Sequence, residues 1–265
     1  MTVLDAPHDT THGRTGRGAH PAGRPSFMTL LPTDPALVPA PNRPTISVVI
    51  PTLNEAENIG HVLRRLPDMV SEVIVVDGHS ADGTVDVVRT LRPDAKIVYQ
   101  DGKGKGNALA CGFRESTGEI TVMLDADGST DPVEIPRFVA ALTNGYDYAK
   151  GTRFMTGGGS DDITPIRRLG NRALTTAVNR IWHVNYSDLC YGYNAFWTRC
   201  TPPVADCSGF EVETLMTIRL SGADTRVIEV PSVEAPRIHG TSNLRAGRDG
   251  MRVLRTILAE WVRPR

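Results

Sequence analysis

From Thr45 onward, short apolar runs rich in β-branched residues alternate with amphipathic stretches, and this switching of period constrains the fold more than any other feature of the chain. Residues 46–50 form an apolar run stopped by Pro51, and residues 55–66 then place Ile59, Val62, Leu63 and Leu66 at helical spacing. Strand followed by helix recurs at 73–76 and 82–91, at 96–99 and 107–114, and at 120–124 and 132–142, with a further strand predicted over 146–150. Beyond Gly151 the alternation thins to a Gly-rich loop at 156–160, a helix over 165–182, a segment at 190–197, a helix over 209–220 and a strand over 226–230. This pattern implies an α/β fold, a Rossmann-like and mostly parallel sheet with helices on both faces. In such sheets ligands bind beyond the carboxyl ends of the strands.

The flanks differ from this body. Residues 1–44 are rich in Pro, Gly, His, Thr and Arg without periodicity, so they are predicted to be a disordered leader ahead of a domain over 45–244. Residues 245–265 hold six arginines against Asp249 and Glu260. Within Ala246–Val262, Met251, Leu254, Leu258 and Trp261 recur at helical spacing beside a stripe of Arg248, Arg252 and Arg255, predicting a basic amphipathic helix. Such a helix either packs on the domain or lies on an anionic membrane surface.

With 29 Lys and Arg against 30 Asp and Glu, the chain lacks the basic excess of a dedicated nucleic-acid binder. Cys111, Cys190, Cys200 and Cys207 form no C-x-x-C pair, which argues against a zinc site or a disulfide framework. No apolar run approaches the roughly 20 residues a transmembrane helix needs. These features lead us to expect a cytoplasmic protein with reduced thiols, open to contact with the inner face of the cell membrane.

The strand ends carry the chemistry. After the first predicted strand, Asn54 is expected to cap the following helix and Glu55 to sit in its first turn. After the second, Asp77 is a carboxylate suited to a nucleobase or ribose, while Ser80, Asp82 and Thr84 read as turn and cap residues. Residues 103–107, Lys-Gly-Lys-Gly-Asn, fit neither a P-loop nor a G-x-G-x-x-G motif but would suit an anion at a helix start. The sharpest feature is Asp125-Ala126-Asp127 at the end of the fourth strand. Two carboxylates at alternate positions face one side, and a hard divalent cation bridging them to a diphosphate would balance their charge.

Taken together, residues 49–55, Asp77 through Thr84, Gly104-Lys105-Gly106, Asp125-Ala126-Asp127, 151–154 and Ser187-Asp188-Leu189 resemble the family 2 glycosyltransferases. The pattern is most similar to the branch that glycosylates dolichyl and polyprenyl phosphates. The resemblance implies a GT-A fold, a UDP- or GDP-sugar donor, Mg²⁺ or Mn²⁺, and transfer with inversion to a lipid-phosphate or glycan acceptor. It assigns Pro51, Asn54, Glu55 and Asp77 to the nucleoside, with Lys105, Gly106 and Ala126 also on the donor side. Asp125 and Asp127 would hold the metal and diphosphate, and Arg153 would present a planar cation to phosphate oxygens. It puts Asp188 near the transfer centre and Glu211 and Glu213 on the acceptor side, although Glu211 also reads as a plain helix start.

Three positions depart from the branch. Gly78 stands where many relatives have a second Asp, Ser129 is a weak third metal contact, and Asn243 replaces the usual Lys. If the acceptor is a hydroxyl, Asp188 or Glu211 becomes its base; if it is a phosphate, no base is needed. The same strand-end acids also admit a nucleotidyltransferase, or a catalytically silent nucleotide-sugar-binding protein.

Overall fold

A computed structural model describes residues 43–221, 224–241 and 244–263. Apart from residues 43 and 44, the predicted leader lies outside the described residues, as does Asn243. The chain runs β1 (Ile46–Thr52), α1 (Ala56–Arg64), β2 (Glu72–Asp77), α2 (Thr84–Leu91), β3 (Lys96–Tyr99), α3 (Gly104–Glu115) and β4 (Ile120–Met123). After a 3₁₀ turn at Pro132–Glu134 come α4 (Ile135–Thr143), β5 (Tyr148–Thr152), β6 (Gly159–Ser160), α5 (Pro165–Trp182) and β7 (Asn194–Trp197). The described chain ends with α6 (Val212–Ser221), β8 (Val227–Pro231), β9 (Val233–Glu234) and α7 (Ala246–Val262).

Seven strands form one sheet in the order β3-β2-β1-β4-β7-β5-β8. All neighbours are parallel except β7, which runs antiparallel between β4 and β5. Alternation along the strands sorts the core into two layers. Ile46, Val48, Ile50, Val73 and Val75 meet α1 and α4 on one face, while Val49, Ile74 and Val76 meet α3 and α6 on the other.

The predicted stop at Pro51 is not observed, because β1 continues to Thr52 in register with β2. The register with β4 ends at Val49, and Leu124 N–H donates to Val49 O. Two residues on, the missing N–H of Pro51 faces a side that β4 has already left, so no ladder bond is lost.

The strand order reverses at β1, which opens a crevice beyond the ends of β1 and β4. Helix α3 is drawn tightly onto this part of the sheet. A Cβ on Gly112 would lie 2.3 Å from Val49 Cγ1 and 3.0 Å from Val76 Cγ2. Gly112→Val should therefore lower unfolding stability by about 1–3 kcal/mol, the usual penalty for overpacking. Denaturant melts of the two proteins check this, and equal midpoints would contradict the close approach.

Candidate active site

The ends of β1 and β2 are locked together by short-range polar contacts. Asp77 is buried and accepts from Ser80 N–H at 2.9 Å, with Thr52 beside it in the β1–β2 register. Asn54 does not cap α1 as expected. It adopts a left-handed conformation with φ 55°, and its Oδ1 accepts from Ala81 N–H at 2.9 Å, tying the loop after β1 to the loop after β2. The capping bond comes instead from Asp82, whose Oδ2 accepts from Ala56 N–H at 2.9 Å while Oδ1 takes Thr84 N–H at 3.0 Å. One carboxylate thus orders the first turns of both α1 and α2.

Beyond β4, Ala126 turns into the core while Asp125 and Asp127 stay part-exposed on either side of it. Their charge is balanced by the protein's own cations. Lys105 Nζ sits 2.6 Å from Asp125 Oδ1 and 2.8 Å from Glu213 Oε1. Burial disfavours the Lys105 charge, but the two carboxylates outweigh it and raise the ammonium above the ordinary lysine value. Asp127 Oδ1 accepts from Ser129 N–H at 3.0 Å, and its Oδ2 faces Arg237 Nη1 at 3.3 Å. Arg237 also grips both carboxylate oxygens of buried Glu55.

The Lys105–Gly106 helix start was expected to present N–H groups to an anion. Instead Gly106 N–H donates to Ser208 O at 3.3 Å. A Cβ at Gly104, where φ is 81°, would fall 2.0 Å from the same oxygen. These glycines let the 207–208 backbone lie against α3. Among the described residues no three His, Cys, Asp or Glu side chains gather into a ready-made metal cage. The donor set still fits a hard divalent ion that keeps its waters and takes one or two carboxylates. Both acids come from one turn, and their side chains are 29% and 23% exposed.

Arg153, expected to face phosphate, is turned the other way. Its side chain is 3% exposed. Nε and Nη2 form a fork on Asp188 at 2.7 and 3.0 Å, Nη1 donates to Glu234 at 3.0 Å, and Nη2 also reaches Cys190 O at 3.2 Å. The Tyr191 ring lies 4.9 Å from the guanidinium carbon. All its donor groups are engaged, which makes Arg153 a structural pivot.

Asp188 is fully buried and takes a further bond from Asn171 Nδ2 at 3.0 Å. Burial opposes its charge, yet Arg153 prevails and holds the carboxyl below the ordinary aspartate range, a poor state for a general base. Beneath it, Glu229 accepts from Ser187 and Asp188 N–H, and burial raises its carboxyl above the ordinary value. Glu211 sits just ahead of α6. Its Oε1 accepts from Gly209 N–H at 3.1 Å, while Oε2 is buried without a hydrogen-bond partner in the described residues.

The sequence reading missed Arg237 and Glu234. No pattern in the sequence distinguishes Glu234, on the two-residue strand β9, or Arg237, in the segment after it, from surface charges. All four cysteines are free.

A mostly parallel sheet that reverses strand order at β1 and carries paired acids beyond β4 is the architecture of the GT-A glycosyltransferase fold. The family model for glycosyl transferase family 2 matches residues 47–200, more than half of the chain. An undecaprenyl-phosphate mannosyltransferase of Micrococcus luteus is 30% identical over 233 residues, covering 82% of this chain and 96% of that protein. A dolichol-phosphate mannosyltransferase of Pyrococcus furiosus is 31% identical over 229 residues, covering 82% of this chain but only 64% of its own length. Glucosyl-3-phosphoglycerate synthase of Mycobacterium tuberculosis, crystallised with Mn²⁺, UDP and glucosyl-3-phosphoglycerate, superposes with a TM-score of 0.67 at 24% identity. That superposition covers 84% of this chain and 81% of the synthase. The chain belongs to glycosyl transferase family 2.

Arg153→Met would strand two buried carboxylates and should destabilise the protein by about 3–5 kcal/mol at neutral pH. Because Asp188 is depressed when folded, its pairing contributes above about pH 4 and is lost as pH falls through the folded value. The gap between wild type and variant should therefore narrow on acidification. Denaturant melts at several pH values test both signs, and a small gap that does not change with pH would contradict the pivot.

Proposed function

We propose that this glycosyltransferase moves a sugar, with inversion, from a UDP- or GDP-linked donor to a polyprenyl phosphate, with Mg²⁺ or Mn²⁺ held by Asp125 and Asp127. The carrying observation is the state of the acids beside the transfer centre. Asp188 is saturated by Arg153 and Asn171, Glu213 is paired with Lys105, and Glu211 accepts from Gly209 N–H through one oxygen while its other, unpartnered among the described residues, is buried away from solvent. A hydroxyl acceptor needs a base, whereas a phosphate is already an anionic nucleophile. The names of the Micrococcus and Pyrococcus relatives, both polyprenyl-type phosphate mannosyltransferases, support the same acceptor.

The bound metal ion would supply charge to the leaving diphosphate. Asp77 and Asn54 bound the nucleoside pocket, Lys105 fixes Asp125 toward the diphosphate, and Glu213 fixes Lys105. The Arg153–Asp188 pair holds the wall where the acceptor phosphate approaches in line.

The peripheral contact with an anionic cytoplasmic leaflet is supported by the way α7 is seated. The helix packs through Asp249, Val253 and Ile257. Of the predicted apolar stripe only Leu254 is half-buried, while Met251, Leu258 and Trp261 are 51%, 46% and 58% exposed. Ile166 and Leu169 on α5 are exposed as well. No helix among the described residues is long and apolar enough to cross a membrane. Exposed apolar side chains beside Arg248, Arg252 and Arg255 suit the interface of a leaflet that presents a lipid-linked acceptor.

Incubation with UDP- and GDP-sugars, Mn²⁺ and a polyprenyl phosphate should release nucleoside diphosphate and yield lipid-linked sugar. Pyrophosphate release would favour nucleotidyl transfer, and transfer to free glycans alone would overturn the acceptor. Asp127→Asn should reduce turnover by more than about 10²-fold while the melting temperature holds.

Co-sedimentation with anionic vesicles should be salt-sensitive and lost on changing Arg248, Arg252 and Arg255 to Gln. A wild-type chain left in the supernatant at low salt would contradict the membrane contact.

A further inference from the structure

Arg237 is placed unlike the other two cations of the site. Its Nη2 bonds Glu55 at the end of β1, its Nη1 faces Asp127 Oδ2 beyond β4 at 3.3 Å, and its Nε donates to His239 O at 2.7 Å. One guanidinium thus straps the nucleoside side of the crevice to the paired acids. The segment carrying it is laid down by backbone contacts: Ala235 N–H donates to Ser129 O at 2.8 Å and Ile238 N–H to Asp127 O at 3.2 Å. His239 N–H donates to Asn58 Oδ1 at 2.9 Å, while Asn58 Nδ2 donates to Glu55 at 2.7 Å. Gly128, with φ 75°, makes room for this strap, since a Cβ there would meet Ile238 Cδ1 at 2.4 Å.

Two of Arg237's contacts are firm and one is loose. The Glu55 grip uses both carboxylate oxygens, whereas the Asp127 contact is single and long for a charge-assisted bond. Lys105, by contrast, is held between two acids at 2.6 and 2.8 Å, and Arg153 has no donor to spare. Of the three, Arg237 has the longest contact to its site acid, 3.3 Å to Asp127 against 2.6 Å for Lys105 to Asp125, and it keeps two other contacts, on Glu55 and His239 O, if that one is released. Its side chain is also the most exposed of the three, at 17%.

We propose that Arg237 is an exchangeable counter-ion for Asp127: a divalent cation displaces it, and the guanidinium, still pivoted on Glu55, turns its freed N–H groups to the donor diphosphate. This rests on the metal reading of Asp125 and Asp127 above. Two cations on one carboxylate repel each other, so the metal must compete with Arg237 when no nucleotide is present. Once a diphosphate arrives, it takes the displaced guanidinium and the competition ends. Metal and nucleotide therefore bind with positive coupling, carried by one side chain.

The experiment is calorimetric titration of the full chain with Mn²⁺ alone and again with saturating UDP or GDP, for wild type, Arg237→Gln and Arg237→Lys, with melting temperatures alongside. In wild type the nucleotide should tighten Mn²⁺ by about fivefold or more, within the usual range of such couplings. Arg237→Gln should bind Mn²⁺ alone several-fold more tightly than wild type and show little or no coupling, while Arg237→Lys should retain part of it. If Mn²⁺ alone binds Arg237→Gln no better than wild type, or if coupling is undiminished, Arg237 is a passive strut and the inference is overturned. If neither wild type nor variant binds Mn²⁺ even with nucleotide, the metal reading fails and takes this inference with it.

Discussion

The Arg153 fork on Asp188 is the interaction on which the arrangement of the site depends. Arg153 follows β5, Asp188 lies in the loop before β7, Asn171 reaches Asp188 from α5, and Glu234 closes the ring from β9. Four segments far apart in sequence meet at one planar cation. Glu234 also bridges to Thr130, just past Asp125 and Asp127, and β9 leads within three residues to Arg237. A displacement at Arg153 would thus be felt at Asp127 through β9. Burying this many charges is costly unless each is matched in direction as well as sign, and the rigid fork of arginine supplies that match where a lysine could not.

How far the sequence discloses the fold follows from the range of the interactions involved. Residues 46–50 and 73–76 alternate between two buried layers, and that local signal announced both the strands and the two-faced sheet. The bounds of α5 and α7 were likewise readable, since Pro165 opens one and periodicity spans the other. The antiparallel placement of β7 was not readable, because pairing order depends on partners more than 70 residues away. For α7 the spacing singles out Met251, Leu254, Leu258 and Trp261 as the apolar stripe, whereas the helix packs by Val253 and Ile257, with Asp249. Spacing reveals that a helix is amphipathic, but a neighbour decides which stripe is covered.

The site shows the same division. Asp125 and Asp127 stood out in the sequence because two acids ending an apolar strand have few structural uses, but the cations that pair with them, Lys105 and Arg237, come from far along the chain and were not readable as their partners. Arg153 was legible as important but not in its role: an arginine after a strand looks the same whether it faces a phosphate or a buried Asp188. The glycines at 104 and 106 suggested an anion-binding turn, whereas their lack of a Cβ admits the Ser208 and Cys207 carbonyls. Glycine marks close approach without saying what approaches.

The distribution of cations explains why the acids can stand together at a strand end. Asp125 is neutralised by a lysine that a second acid, Glu213, holds in place, so its geometry is fixed before any ligand arrives. Asp127 is neutralised more loosely, by a cation anchored on Glu55. A site in which both acids were locked would bind a metal poorly, and one in which neither was paired would strain the fold through like-charge repulsion. Pairing one acid firmly and the other loosely relieves the repulsion and agrees with the proposed metal reading. Lys105 and Arg237 thus leave neither Asp125 nor Asp127 without a partner.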